Sequence, residues 1–427
     1  MIYSLGIFIS LAAGFLLIRL LIGQRLNLIV HILLALALGL GIDGLAAFYI
    51  HIFLNQFNRW LPIGLVVLEI VFLIKYYSPP KFQMTKEYGW GLLTLAILAV
   101  PLAICAHYYP LGGWDAWSCW NLKTKFIFLG HEHWKDVLAP GLWRSNTQYP
   151  LLWPLINVWF CDLEGRFDQT IPMLNSIIIA LLTAGILLFG LLELTGSLIS
   201  SILAAVIVTA LPFGIILYTS QYSDALLGLF LLSSFVCLLL AEKYNLPKLK
   251  ILSMIFLGLM SFTKSEGLVA TCIVALGFFW RERSHKKELK PLILAFFLAL
   301  LPTIIFTFFF APKNEAFING LVSTEKPTTW ARLNIILVYP WLEFISGKWN
   351  CFWLLALGGI LLAGKKLWQS TLGLIGVSLI LYLGVVLAYY AVNTYFEIGW
   401  WLSQTLARIL FAMMPTIALW IGLGLLI

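Results

Sequence analysis

The chain has 427 residues, of which 61% are hydrophobic and only 11% are charged, and its mean hydropathy is +0.96. A water-soluble core cannot enclose that much apolar surface, so the composition excludes a soluble globular protein and indicates one that dissolves in lipid. The formal net charge of +8 is spread among loops, with no basic run interleaved with aromatic residues, and this argues against nucleic-acid binding.

Apolar runs of about 15–25 residues, sufficient to cross a bilayer, recur along the whole chain. They predict an all-α polytopic membrane protein with about thirteen transmembrane helices and no soluble domain. The first run lacks a basic flank and a small-residue cleavage site, so we interpret it as a retained helix and not as a signal peptide. The predicted helices lie at 3–22, 28–50, 60–76, 89–106, 172–194, 199–218, 222–241, 250–263, 267–280, 291–310, 351–363, 371–391 and 406–427.

Clusters of lysine and arginine predict the orientation, because positive charge is enriched in cytoplasmic loops. With thirteen helices and an outer N-terminus, all of these clusters fall on the cytoplasmic side of a plasma membrane, which we expect to be a bacterial inner membrane. The clusters are Arg19 and Arg25; Lys75, Lys81 and Lys86; Lys243, Lys248 and Lys250; residues 281–290; and Lys365 and Lys366.

Two long connections, 107–171 and 311–350, then fall on the extracytoplasmic side. Both are rich in Trp, Tyr and Pro, and both contain apolar stretches that are too short or too interrupted to cross the bilayer. We expect these stretches to form helices that lie in the membrane interface, anchored by their aromatic rings. Since the cytoplasmic loops are short, we expect any chemistry on the extracytoplasmic side or in the membrane.

The stretch GGWDAWSCWNLKTKF in the first outer connection places an acid between aromatic rings and two cations after it. Trp114 and Trp117 can partly desolvate Asp115, which favours a base able to take a proton from a hydroxyl. A solvated loop acid is the alternative. Lys123 and Lys125 can hold a phosphate, or contact lipid headgroups.

Further ionisable residues interrupt apolar runs. Asp224 opens a predicted helix in SQYSDALLGLF, where helix capping is the alternative to a functional role. Lys264 and Glu266 in SFTKSEGLVA must be paired or face a cavity, since leaving both in lipid is costly. The simplest geometry is a helical hairpin with Lys264 to Gly267 at its outer tip, and a single kinked helix is the alternative.

Arg408 lies at the outer end of the last predicted helix, where an arginine that faces the protein interior can bind a phosphate or a carboxylate. Snorkelling to the outer interface is the alternative. Asp43 and Glu69 lie within early helices, and a transporter would need such acids on an ion path.

Metal sites and disulfides have little support in the sequence. His131 and His133 in GHEHW lie near Glu132 and Asp136, but their spacing suits no helical zinc site, so we expect no metal and no other cofactor. A disulfide is left open for the cysteines on the outer face, which are Cys119, Cys161 and Cys351.

Taken in order, these motifs resemble the GT-C membrane glycosyltransferases that use polyprenyl-phosphate sugars, the superfamily of protein O-mannosyltransferases and of the aminoarabinose transferase acting on lipid A. The likeness extends from about residue 89 to the C-terminus. Many relatives carry a second acid after the first, where this chain has Ala116, and no large soluble domain follows the last helix. The matching residues are Asp115; Tyr149, Pro150, Leu151, Leu152 and Pro154; Asp224; Thr263, Lys264, Glu266 and Gly267; and Arg408 with Pro415.

The resemblance implies a GT-C-type bundle in three parts: extra N-terminal helices over 1–88, a catalytic module over 89–310 that includes the loop 107–171, and a second outer loop with C-terminal helices over 311–427. It implies an enzyme that moves a sugar from a polyprenyl-phosphate donor to an acceptor hydroxyl at the extracytoplasmic face, with inversion. The acceptor is a lipid, a glycan or a protein. A lipid-linked sugar transporter or flippase, a polymerase-type membrane protein and a non-catalytic scaffold are the alternatives.

The resemblance also implies residue roles. Asp115 would be the catalytic base, and Lys264 and Arg408, helped by Lys123 or Lys125, would bind the donor phosphate without a metal. The residues expected to bind the sugar or the acceptor are Asp224, Glu266, Trp114, Trp117 and Tyr149.

Overall fold

The computed structural model of the protein describes residues 2–23, 25–55, 64, 71, 85–313, 318–320 and 329–426. The described residues form helices and connecting turns, with no strand among them. Of the predicted helix 60–76 only residues 64 and 71 are described, and Glu69, Lys75 and Lys81 lie outside the described residues. The division of the chain at residues 88 and 310 stays a prediction.

The described α-helices account for every predicted apolar run other than 60–76. In chain order they are α1 Ile2–Ile22, α2 Leu28–Leu54, α3 Lys86–Tyr108, α4 Asn121–Gly130, α5 Leu152–Glu164, α6 Thr170–Thr195, α7 Leu198–Thr209, α8 Pro212–Thr219, α9 Ser223–Lys243, α10 Lys248–Ser261, α11 Ser265–Glu282, α12 Lys286–Phe309, α13 Thr329–Phe344, α14 Phe352–Ala363, α15 Ser370–Val392 and α16 Ile398–Leu426. Shorter turns lie at Ala116–Trp120, His131–Leu138, Pro140–Ser145, Gly347–Trp349 and Gly364–Trp368.

Eight of the described helices are long and apolar enough to cross a membrane, or nine if α7 and α8, which are bent by 66°, count as one. The chain is therefore an integral membrane protein. The predicted count of thirteen is not confirmed. The helices α10 and α14 have 14 and 12 residues, so at about 1.5 Å per residue they fall short of a hydrocarbon core of about 30 Å.

Helix α9 is the centre of the bundle. Every residue from Ser223 to Ala241 is buried, and the helix packs against α6, α10 and α16. Its sequence is hydrophobic all round, as expected for a helix that protein encloses on every side.

Gly228 sets the distance between α9 and α16. A Cβ atom at this position would lie 2.8 Å from the carbonyl oxygen of Ala412, so only glycine permits this approach. Asp224 lies one turn before Gly228 on α9, and Arg408 lies one turn before Ala412 on α16. The close crossing therefore brings these two charged residues face to face.

The basic residues Lys243 and Lys250 lie at the opposite end of the bundle from Asp224. Lys250 Nζ donates to Glu282 and Glu288 at 2.8 and 3.2 Å, and Lys243 lies at the far end of α9. The path along α9 from Asp224 to Lys243 is about 30 Å, the thickness of a hydrocarbon core. The two ends of the bundle thus carry different polar networks.

The two predicted outer connections form helices of different character. In the first, α5 is packed inside the protein against α2, and its rings Trp153 and Trp159 are buried instead of lying on the surface. In the second, α13 exposes Trp330 and Trp341, as an interfacial helix would. Arg332 ties α13 to the end of α15 through hydrogen bonds to backbone carbonyls.

Candidate active site

Charged residues from four separate segments meet at one end of α9. The ion pairs run from one residue to the next in a continuous chain. Its members, the charge cluster of this protein, are Asp115, Arg408, Asp224, Lys264 and Glu266. The structure therefore brings together five of the ten residues that the sequence singles out for the site.

Arg408 is the centre of the cluster. Its Nε and Nη2 donate to the same oxygen of Asp224, Oδ2, at 3.0 and 2.8 Å. Its Nη1 donates to Oδ2 of Asp115. Since α16 begins at Ile398, eight residues before the predicted start at 406, Arg408 lies within the helix and faces the protein instead of snorkelling to the interface.

Lys264 neutralises the other side of Asp224. Its Nζ donates to Asp224 Oδ1 at 3.0 Å and lies 3.2 Å from Glu266 Oε1. Burial acts to lower the pKa of Lys264, but the adjacent carboxylates outweigh it and hold the pKa above its ordinary value. Lys264 therefore stays charged at neutral pH.

The segment around Lys264 is a helical hairpin, as predicted, because α10 ends at Ser261 and α11 begins at Ser265. Part of the predicted tip is exposed: Ser265 is exposed and Glu266 is partly buried, whereas Lys264 is buried. The backbone N–H of Leu152 on α5 donates to the carbonyl of Phe262 at 3.1 Å, so α5 contacts the turn beside Lys264. The position of the tip at the outer surface of the membrane stays a prediction.

The charges of the cluster do not cancel. Asp224 and Glu266 balance the two cations, Lys264 and Arg408, and Asp115 is the additional negative charge. Asp115 is also the most accessible member, with a side chain 33% exposed against 4% for Asp224. Asp115, the carboxylate in excess of the two cations, is therefore the one that a second molecule can reach.

Two residues of the site had no role in the sequence analysis, although both lie in the quoted motif SQYSDALLGLF. The ring of Tyr222 lies 4.4 Å from the guanidinium carbon of Arg408, a cation–π contact, and its hydroxyl accepts from the Asp115 N–H at 3.4 Å. Gln221 has the left-handed φ of 59° and joins three segments. Its side chain donates to Pro110 O and accepts from Asn121, and its carbonyl accepts from Trp153.

The two predicted lysines of the first outer connection lie apart from the cluster. Lys123 is fully buried, donates to the carbonyl of Asn146 at 2.7 Å, and lies beneath the rings of Trp120 and Tyr149. Burial lowers the pKa of Lys123. Lys125 is exposed and lies over a different ring. The role of these two lysines as ligands of a donor phosphate stays a prediction.

The predicted aromatic residues lie around the cluster. Trp114 and Trp117, on either side of Asp115, are 67% and 47% exposed, and their rings meet edge to face at 4.4 Å between centroids. Tyr149 stacks on Trp120 at 5.8 Å between ring centroids. An accessible carboxylate beside exposed rings can hold a polar ring such as a sugar.

Glu266 has one oxygen without a partner. Its Oε1 pairs with Lys264, but among the described residues the buried Oε2 has no hydrogen-bond partner. Below it, α9, α11 and α15 enclose a narrow apolar cavity. The cavity is lined by Leu231, Phe235, Ala270, Val274, Ser378, Leu379 and Tyr382.

The residues that the sequence analysis considered for a metal site and for a disulfide lie outside the charge cluster. His133 and Glu132 form an exposed pair at 3.5 Å, and the described part of the chain contains no group of three His, Cys, Asp or Glu side chains able to hold a metal. The absence of a metal in the reaction stays a prediction. The thiols of Cys119, Cys161 and Cys351 are free, so the disulfide left open by the sequence does not form.

Comparison with known proteins finds a similarity to a solved structure. No protein-family model and no curated protein matches the chain. The chain is similar to the crystal structure of ArnT from Cupriavidus metallidurans bound to undecaprenyl phosphate, with 14% sequence identity and a TM-score of 0.46. The likeness covers 79% of this chain and 60% of that one.

The chain spans about 60% of the length of the ArnT structure.

Proposed function

We propose that the protein is a membrane glycosyltransferase that moves a sugar from a polyprenyl-phosphate donor to an acceptor hydroxyl. The observation that carries the proposal is the charge cluster itself. An accessible acid, Asp115, pairs with Arg408, and a separate buried acid, Asp224, holds both Arg408 and a second cation, Lys264, in place. Sugar transfer from a lipid phosphate requires a base for the acceptor and fixed positive charge for the leaving phosphate.

Arg408 and Lys264 are the candidate ligands of the donor phosphate. The phosphate gains negative charge as its bond to the sugar breaks, and cations already held in position stabilise that charge with no reorganisation. Asp224 provides this positioning, because its Oδ1 accepts from Lys264 and its Oδ2 accepts from Arg408. The guanidinium of Arg408 also has the fork geometry that suits phosphate oxygens.

Asp115 is the candidate base. The acceptor oxygen forms a bond to C1 of the sugar while the C1–O bond to the phosphate breaks, and the acceptor proton passes to the Asp115 carboxylate. Attack from the face opposite the leaving phosphate inverts the configuration at C1. The partial exposure of Asp115 fits this role, since the base must be reached by a second substrate.

The sugar and acceptor would contact the rings and acids around the cluster. Trp114 and Trp117 offer exposed aromatic faces next to Asp115. Glu266 offers a carboxylate oxygen that has no partner among the described residues, and Tyr149 lies nearby. These residues are candidates for hydrogen bonds and stacking with a sugar ring.

The lipid part of the donor would lie among apolar helices that leave the cluster in the direction of the opposite end of the bundle. The lysine-rich opposite end marks the cytoplasmic side by the positive-inside rule. We therefore place the reaction on the extracytoplasmic side.

A transporter for lipid-linked sugars is the competing function. Transport requires a polar path through the bundle. Helix α9 is buried along its length and carries no charge between Asp224 and Glu242. Asp43 is a buried acid within α2, where it accepts a hydrogen bond from Ser10. The charge cluster lies at one end of α9, which favours chemistry at one face.

The test is a lipid-binding and transfer assay on the purified full chain in lipid nanodiscs. Undecaprenyl phosphate should bind at least about tenfold more tightly than undecaprenol, which lacks the phosphate. Among a panel of polyprenyl-phosphate sugars with simple acceptor hydroxyls, at least one should lose its sugar in a reaction that Asp115→Asn abolishes. Equal binding of the two lipids, or transfer that persists in Asp115→Asn, would refute the assignment.

A further inference from the structure

Arg408 divides its hydrogen bonds unequally between two acids. Nε and Nη2 hold Asp224, and Nη1 alone holds Asp115. The Asp224 side chain is 4% exposed and is also held by Lys264, whereas that of Asp115 is 33% exposed. Asp224 is therefore the permanent partner of the guanidinium, whereas Asp115 is a partner that another anion can replace.

The same Arg408 is needed by the donor phosphate, and Nη1 is the part of its guanidinium that faces the accessible acid. A phosphate that binds there must compete with Asp115 for this N–H group. Arg408 itself is fixed by Asp224 and by the ring of Tyr222, 4.4 Å away. Asp115 is the less constrained partner, because its side chain is 33% exposed and, among the described residues, its carboxylate pairs with Arg408 alone.

We propose that the Asp115–Arg408 ion pair is a latch that the donor opens: the donor phosphate replaces Asp115 at Nη1 and thereby releases the base. This inference rests on the proposed function. The charge balance of the cluster supports it, since Asp224 and Glu266 suffice to neutralise the two cations and Asp115 is the surplus acid. Removing Asp115 from Arg408 therefore leaves no cation without a partner.

The latch makes the release of the base, Asp115, depend on the binding of the donor phosphate to Arg408. An Asp115 oxygen that accepts from the guanidinium is not available to the proton of the acceptor hydroxyl. Once the phosphate takes its place at Nη1, this oxygen can accept a hydrogen bond from the acceptor. The base thus becomes competent only when the leaving phosphate is already bound, which predicts an ordered reaction with the donor first.

The test is equilibrium binding of undecaprenyl phosphate to the full chain in nanodiscs, with wild type and Asp115→Asn compared. The latch predicts that Asp115→Asn binds the lipid about three- to tenfold more tightly, because a competing carboxylate is gone. Glu132→Gln is the matched control, since it removes one exposed acid from the same outer connection. It should leave the affinity unchanged.

Asp224→Asn separates the latch from a general effect of removing negative charge near the site. It should weaken binding, because Arg408 and Lys264 lose their shared anchor. Asp115→Ser serves as a second variant and should also bind more tightly, which guards against a folding defect peculiar to the asparagine.

The outcomes distinguish the two proposals. If wild type binds undecaprenyl phosphate no better than undecaprenol, the proposed function fails. If wild type prefers the phosphate but Asp115→Asn and Asp115→Ser bind it equally or more weakly, only the latch is overturned. In that case Asp115 positions Arg408 and does not compete for it.

Discussion

Arg408 and Asp224 are joined by two hydrogen bonds to a single carboxylate oxygen, at 3.0 Å from Nε and 2.8 Å from Nη2. The residues are 184 positions apart in the chain. They meet because Gly228 allows α9 and α16 to cross closely one turn away. This pair fixes the orientation of the guanidinium toward Asp115 and is the structural basis of the predictions that follow.

Arg408→Lys should lower the affinity for undecaprenyl phosphate about 10- to 100-fold, or about 1.4–2.8 kcal/mol. A lysine keeps the charge but lacks the planar fork that engages Asp224 through two N–H groups and Asp115 through a third. Lipid binding in nanodiscs measures the effect. Arg166→Lys, which changes an arginine with a 72% exposed side chain, is the control and should be silent. Full affinity in Arg408→Lys would mean that charge alone suffices.

Gly228→Ala should destabilise the protein by about 1–3 kcal/mol, because the new methyl group meets the carbonyl of Ala412 and overpacks the crossing. The separation of α9 and α16 should also weaken the Arg408–Asp224 pair and hence lipid binding. Thermal unfolding in detergent and lipid binding are the two measurements. Gly384→Ala, where an added Cβ meets no atom within 4 Å, is the matched control. Wild-type stability in Gly228→Ala would show that the crossing can relax.

Tyr222→Phe and Tyr222→Leu should differ. Phenylalanine keeps the ring over Arg408 and loses only the long hydrogen bond from the Asp115 N–H, so we expect binding within about threefold of wild type. Leucine removes the cation–π contact, worth about 0.5–2 kcal/mol, and should weaken lipid binding by up to about thirtyfold. Titration of undecaprenyl phosphate against both variants checks this. Equal behaviour of the two would assign the role of Tyr222 to its hydroxyl or to volume alone.

Lys123→Met should affect stability more than lipid binding. The buried Nζ donates to the Asn146 carbonyl, which also accepts from the Tyr149 N–H, so the substitution removes one of two hydrogen bonds at a cost of about 1 kcal/mol. We expect the affinity for undecaprenyl phosphate to stay within about threefold, since Lys123 is enclosed beneath rings. Lys125→Met is the exposed counterpart and should change neither quantity. A tenfold loss of undecaprenyl phosphate binding in a stable Lys123→Met protein would show that Lys123 is a ligand of the donor phosphate.

The sequence by itself determined that the protein is a helical membrane protein and which charged residues are candidates for its site. Long apolar runs place helices in lipid because backbone polar groups must be satisfied internally there. Asp224, Lys264 and Arg408 stand out for a similar reason, since an unpaired charge in such surroundings is costly. The hairpin around Lys264 was also predictable, because the polar interruption separates two apolar runs.

Only the tertiary structure decided which charges are partners and how deeply each is buried. Asp115 and Arg408 are 293 positions apart, and no local pattern reports such a pairing. Lys123 and Lys125 look alike in the sequence, but on one helix turn they point to different faces, so one is buried and the other is exposed. Local composition sets which groups need partners, whereas the packing of helices distant in sequence sets where those partners are.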